Sequence, residues 1–225
     1  MGSQYCDSEE ECLSDNKSAP VEVIASPLLR MHLEALVSLF EAEEPTLRLI
    51  RGSAIEEVMY VFGDASGAGF GSSWSNGVDS SDLGVRYGVW GDVGYGTSSN
   101  YREFRNLVES LEYIGYQGDL EGREVFIFTD NMVSETIASK GSSKNEDLYD
   151  LVVRVFKLEM HCKCMATALH VAGTRMIRQG TDGLSRGDMV EGVMKGESML
   201  SFIPLHRSAI ELCPPLLSQI ESCFE

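Results

Sequence analysis

Positive charge is what this 225-residue chain has least of. It carries 18 Lys and Arg against 35 Asp and Glu, a net charge of −17. Tight, sequence-independent binding of nucleic acid rests on basic side chains that neutralise phosphates, and this balance counts against it. The deficit is uneven: residues 1–57 hold 12 acids and 4 bases, residues 58–190 hold 18 and 12, and residues 191–225 hold 5 and 2. Long apolar runs are also missing. None approaches the roughly 18 residues of a membrane span, so no membrane partner is expected. The opening stretch MGSQYCDSEEEC has neither the basic nor the apolar part of a signal peptide. Cys6 stands where a myristoylation pattern needs Ser or Thr. The expected location is intracellular, cytoplasm or nucleus. The six cysteines form no CxxC pair, which points to free thiols in a reducing compartment. His161-Cys162-Lys163-Cys164 is a CxC at a helix end with no second pair, a poor zinc ligand set. Cofactor-binding residues of the dinucleotide type are not expected either. Gly67-Ala68-Gly69-Phe70-Gly71 lies in a hairpin rather than between a strand and a helix.

What is present is a 43% hydrophobic composition, enough for one compact domain with extensions. The chain is organised around VMYVFGDASGAGFGSS, residues 58–73. Val58 to Phe62 is apolar and rich in β-branched and aromatic residues, the signature of a buried strand. The strand ends in Gly63-Asp64-Ala65-Ser66-Gly67, a turn of small residues, and a second strand follows over Gly69–Trp74. A third strand is expected at Val85–Trp90, completing an antiparallel meander. Ser98-Ser99-Asn100 offers N-caps for a helix over Tyr101–Tyr113, with Phe104, Leu107, Val108 and Leu111 on one face. Glu124–Thr129 (EVFIFT) is the most apolar strand and runs into Asp130-Asn131. A short helix over Met132–Lys140 and a long amphipathic one over Asn145–Lys163 precede a fifth strand, Thr167–Val171. Strand, helix, strand implies a parallel crossover. Ala172–Gln179 reads as a loop before a last helical turn at Gly180–Arg186, which carries Asp182.

Outside this region, residues 1–27 read as a disordered acidic segment. Residues 28–57 read as a helix and a linker, with Leu29, Leu33, Leu36, Val37 and Phe40 at helical spacing, a stripe that packs against the domain or an absent neighbour. The domain proper is residues 58–190, and residues 191–225 form a helical C-terminal extension that packs on it.

Each acid has an ordinary reading when it stands alone. Asp64 can close its own turn, and Glu103 can complement a helix dipole. Together they make a pattern. Asp64 in FGDASGAGFG, Glu103 in SSNYREFRNLVESLE, Asp130 in VFIFTDN and Asp182 in TDGLSR occupy the end of strand one, the first helix of the domain, the end of strand four and the last helix. In that order and context they resemble the four acids of ribonuclease H. The version most resembled is the ribonuclease H domain of retroelements. There a strand ending His-Val/Ile-Pro-Gly precedes Ala-Asp-Ala-Leu-Ser-Arg. Here the residues are His170-Val171-Ala172-Gly173 and Thr181-Asp182-Gly183-Leu184-Ser185-Arg186. The resemblance covers about residues 58–190. Ala172 replaces Pro and Gly183 replaces Ala, and no His lies between His170 and Asp182.

The resemblance implies an α/β fold, with a five-stranded mixed sheet of three antiparallel strands then two parallel ones, flanked by helices. It implies hydrolysis of the RNA strand of an RNA–DNA hybrid with two Mg²⁺ ions, Mn²⁺ being an alternative. Asp64 bridges the ions, Asp182 helps hold the one that activates water, and Glu103 and Asp130 face the leaving 3′ oxygen. Glu103 also senses the 2′-hydroxyl that tells RNA from DNA. The RNA strand is approached by Ser66, Gly67 and Asn131, and phosphate by Arg175 and Arg178. Arg102, Arg105 and Arg186 complete a candidate basic rim. No polymerase pattern precedes residue 58, so the expectation is a detached domain, a fragment or a retroelement descendant, with a reverse transcriptase domain as partner in the parent element. Two other classes compete: a non-catalytic module of the same fold that binds nucleic acid or protein, and an actin-like ATPase. The ATPase class leaves Glu103 and Asp182 without a role.

Overall fold

The computed structural model describes residues 26–41, 57–76, 82–91 and 96–203. The expectations for residues 1–25, for the linker at 42–56 and for residues 204–225 lie outside them. The elements are α1 (Pro27–Phe40), β1 (Val58–Ala65), β2 (Gly69–Ser75), β3 (Gly84–Val89), α2 (Ser99–Tyr116), β4 (Glu124–Thr129), α3 (Met132–Lys140), α4 (Glu146–Cys162), β5 (Met165–His170), α5 (Gly173–Gln179) and α6 (Thr181–Leu184). Two 3-10 turns follow, Gly192–Lys195 and Met199–Phe202. The sheet order is β3-β2-β1-β4-β5. β1, β2 and β3 pair antiparallel, and β4 and β5 join on in parallel. This is the mixed sheet the resemblance implied.

β1 is the central strand, and its alternation divides the core in two. Met59 and Val61 face α2 and α4 with Leu107, Leu111, Val125, Ile127 and Leu151. Val58, Tyr60 and Phe62 face the other way, with Phe126, Phe128, Met176, Val193 and Phe202. A strand buried on both faces needs apolar residues at consecutive positions, which is how Val58–Phe62 and Val125–Phe128 read. The parallel register pairs Phe62 with Phe128. Their rings stack at 4.6 Å between centroids. Two residues beyond that pair, one pleat along each strand, stand Asp64 and Asp130.

One expectation is corrected. Residues 173–179 are the short helix α5, not part of a loop. α5 has no side-chain N-cap and spans only seven residues, so its sequence carries little helical signal. It forms because Met176 is wholly buried against the second core cluster. In α1 the stripe Leu29, Leu33, Leu36, Val37 and Phe40 is exposed. That helix lies against α4 through a different edge, with the His32 and Tyr149 rings 4.7 Å apart.

Glycine decides how closely the last helix approaches the sheet. A Cβ on Gly71, the cross-strand partner of Asp64, would stand 2.5 Å from the Leu184 Cβ and 2.7 Å from the Ser185 backbone nitrogen. Backbone cannot yield as a flexible side chain can. Gly71→Ala is therefore expected to destabilise the chain by about 1–3 kcal/mol, as overpacking does. Gly67→Ala, with open space around its Cβ, is expected to stay within about 0.5 kcal/mol. Urea unfolding of the two variants checks the pair, and equal stabilities would show that α6 is not held against β2.

Candidate metal centre

Asp64 and Asp130 project from the C-terminal ends of parallel neighbours, β1 and β4, on the α5/α6 side of the sheet. Glu103 comes from the first turns of α2 on the opposite side and reaches over the strand ends, where its Oε2 accepts a 3.0 Å hydrogen bond from the Ala65 backbone N–H. One carboxylate oxygen from each of Asp64, Glu103 and Asp130 lies within 4.8 Å of the others. Asp64 is 4% exposed and Glu103 8%. The Asp64 Oδ2 is buried with no hydrogen-bond partner.

Three carboxyl groups so close and so dry resist ionisation. Burial first, and then the neighbouring Asp64 and Asp130 charges, push Glu103 up to about 9 against the lowering hydrogen bond from Ala65. Burial likewise raises Asp64 to about 6, partly offset by a hydrogen bond with Ser185. Asp130 is raised too, first by burial and then by Asp182. A hard divalent cation prefers oxygen ligands and relieves this repulsion. The orphaned buried oxygen of Asp64 and the all-carboxylate donor set fit Mg²⁺ or Mn²⁺.

Asp182 stands beside the trio rather than in it. Its charge reaches Asp64 and Asp130, but its two carboxylate oxygens take a bidentate pair from Arg186, at 3.1 Å from Nε and 2.7 Å from Nη2. The segment ahead of it is fixed by a buried polar cluster. Gln179 Nε2 donates to Ser73 Oγ at 2.8 Å, Ser73 and Thr181 hydroxyls meet at 2.7 Å, and the Thr181 N–H donates to Gln179 Oε1 at 3.0 Å.

The other expected contact residues are spread around the mouth. Ser66 Oγ is held in the β1–β2 turn, accepting from the Gly69 N–H at 2.9 Å and donating to the Ser185 carbonyl at 2.8 Å. Gly67 is exposed beside it. Asn131 caps α3, accepting from the Ser134 N–H at 2.9 Å, and its amide donates to Asn100 Oδ1 at 3.1 Å. Arg175 donates to the Phe202 carbonyl at 3.1 Å, and Arg178 is exposed. Ser185 was given no role from sequence, although it touches Asp64 and the Ser66 turn; its place three residues after Asp182 was the available signal.

No family model matches the chain, and no curated protein matches it. Solved structures do. RNase H1 from the halophilic archaeon Halobacterium salinarum is 20% identical, the match covering 57% of this chain and 92% of that one, with a TM-score of 0.42. LC11-RNase H1, solved in complex with an RNA/DNA hybrid, is 16% identical over 59% of this chain and 96% of that one, with a TM-score of 0.47. A foamy viral protease-reverse transcriptase, also with an RNA/DNA hybrid, is 12% identical over 79% of this chain and 23% of that one, with a TM-score of 0.38.

The raised carboxyls set a pH dependence. An acid whose folded value lies above its unfolded value destabilises the fold increasingly as pH rises between the two. For Asp64 that window runs from 3.8 to about 6, and for Glu103 from 4.5 to about 9. The cation-free protein is expected to lose stability as pH climbs from about 4 to about 9. Glu103→Gln is expected to flatten that fall and to stabilise the protein near pH 7 in EDTA by on the order of 1–3 kcal/mol. Thermal melts across pH measure both, and a Glu103→Gln protein that melts lower at every pH would show that its carboxylate is a structural support.

Proposed function

We propose that this chain is a divalent-cation-dependent endonuclease of retroelement descent that hydrolyses the RNA strand of RNA–DNA hybrids. One observation carries the reading: two buried carboxylates and a half-buried one, with oxygens within 4.8 Å of one another where two parallel strands end, one of them with an oxygen that no protein group satisfies. Asp64, Glu103 and Asp130 are the ligands, and Asp182 is the fourth once its bond to Arg186 is given up. A pair of Mg²⁺ ions, or Mn²⁺ in their place, supplies charge neutralisation and Lewis acidity for in-line attack of water on the phosphodiester.

The chain's own residues do the rest. Burial keeps a proton on the Glu103 carboxyl at neutral pH, and that proton leaves when the site is loaded, so occupancy and pH are linked. The Ser66–Gly67 turn has open space around Gly67, which lets a sugar-phosphate backbone approach the Asp64 end of the cleft. Asn131, fixed through Asn100 and its own helix cap, offers a rigid polar edge on the Asp130 side. Arg178, and Arg175 if it releases Phe202, serve phosphates further along, and contacts of that kind position the duplex without reading its sequence. Discrimination against DNA falls to Glu103, within reach of a 2′-hydroxyl. A reverse transcriptase domain is the expected neighbour in the parent element, and cytoplasm or nucleus the expected location. No described helix is long and apolar enough to cross a membrane.

A second reading has an observation of its own. The Arg186–Asp182 pair withholds the fourth acid, as suits a module that binds hybrids without cutting them. A labelled hybrid incubated with Mg²⁺, with Mn²⁺ and with EDTA separates the two. The expected result is cleavage of the RNA strand with either cation, none with EDTA, and intact duplex DNA throughout. Asp64→Asn should abolish cleavage, at least about 10²-fold, while leaving the protein folded. Hybrid binding without cleavage in both cations would favour the module, and unfolding of Asp64→Asn would return Asp64 to a structural turn residue.

A further inference from the structure

Asn106 stands one helical turn beyond Glu103 on α2 and is wholly buried. A polar amide in the middle of a helix–sheet interface has to be satisfied on both ends. Its Nδ2 donates to two backbone carbonyls, Asp64 at 3.0 Å and Gly71 at 2.8 Å. Those two residues are cross-strand partners, so the single NH₂ group ties β1 to β2 at the acid itself. Its Oδ1 accepts from the Arg86 guanidinium at 3.1 Å and from the Ser72 hydroxyl at 3.3 Å. The orientation of the amide follows from these partners, since a flipped group would aim its oxygen at two carbonyls and its NH₂ at Arg86. Arg86 is locked in turn by Glu109 of α2 at 2.8 Å and lies over the Phe70 ring, 4.3 Å from its centroid. Gly63 lets α2 come this close: a Cβ there would stand 2.4 Å from Leu107 Cδ2.

The consequence is geometric. Glu103 is fixed to α2, Asp64 to β1, and the hydrogen bond from Asn106 to the Asp64 carbonyl joins helix and strand beside the one that the Ala65 N–H gives Glu103. Buried carboxylates that repel each other will spread if the backbone beneath them can give. We propose that Asn106 is a positioning residue for the candidate metal centre: by pinning the Asp64 carbonyl to the helix that carries Glu103, it holds these two carboxylates at the separation a divalent cation needs. The inference rests on the metal-site reading above. Asn106 touches neither cation nor substrate, and it acts through the backbone of a ligand, as outer-shell partners do.

Binding of Mn²⁺ alone to the full chain, followed by electron paramagnetic resonance and by calorimetry, tests this without relying on activity. Asn106→Ala is expected to weaken Mn²⁺ binding about 10-fold or more. Leu111→Ala, five residues further along the same helix in the apolar core, is expected to lower the melting temperature while leaving Mn²⁺ affinity within about twofold. Should Asn106→Ala fail to fold, Asn106→Ser, which keeps a small polar group but cannot span both carbonyls, is measured in its place with the same expectation. Affinity within about twofold of the parent in a folded Asn106 variant would overturn the positioning role and leave the metal site standing. Equal weakening in Leu111→Ala at a matched loss of melting temperature would also overturn it, by showing that general loosening suffices. A parent chain that binds no Mn²⁺ would remove the metal site itself, and this inference with it.

Discussion

Everything at the mouth of this cleft depends on one pairing: parallel β1 and β4 run in a register that sets Phe62 beside Phe128. The stacked rings fill the core beneath the strand ends. One pleat later the same register sets two aspartates side by side, where the chain leaves the sheet. The side-chain period of a strand is two, so a slip of a single residue would turn either Asp to the other face. The apolar packing that fixes the register therefore also fixes the distance between the acids.

That packing holds an arrangement that electrostatics opposes. Burial raises all three acids, and neighbouring carboxylates add to the effect, while nearby cationic groups such as Arg186 and Arg102 pull the other way. Such a cluster persists only if the surrounding structure over-determines it. Two buried polar networks do so from opposite faces of β2. On the α2 side, Ser72, Asn106, Ser110 and Arg86 join the helix to β1 and β2. On the α6 side, Ser73, Thr181 and Gln179 fasten the segment that leads into Asp182. Consecutive serines on one strand thus serve two different clamps. Hydrogen-bonded networks of this kind contribute little net energy per bond but are costly to break, because each orphaned partner remains buried.

The strands were legible because burial on both faces leaves an unmistakable apolar run at 58–62 and again at 124–129. The positions of Asp64, Glu103 and Asp130 were legible because each follows a strong local signal, a strand end or a capped helix start. α5 was not, because a seven-residue helix without a cap owes its existence to Met176 finding a pocket that only the folded chain provides. For α1, helical spacing shows that a stripe exists but not whether the domain or an absent neighbour meets it; the stripe is exposed here. Asn106 and Ser110 read as polar helix positions and were invisible as a clamp, since their partners Gly71 and Ser72 lie more than thirty residues away in sequence. The Arg186–Asp182 pair was hidden too, although i and i+4 spacing allows it.

The arginines bear on how so acidic a chain meets a polyanion. Of the five that sequence placed on a basic rim, four are already engaged: Arg102 with the Thr97 carbonyl, Arg105 with Glu109, Arg175 with the Phe202 carbonyl and Arg186 with Asp182. The Arg186 side of its pair with Asp182 is 60% exposed, which leaves the guanidinium open to water and to screening. Such a pair can exchange partners at small cost. On the function proposed above, a cation that took the Asp182 carboxylate would free the Arg186 guanidinium. One binding event would then change the local charge twice, by adding the cation and by uncovering an arginine. If the proposed function holds, the acidity of the chain would not bar a polyanion, because the attraction would arise at the site and only once the site was loaded.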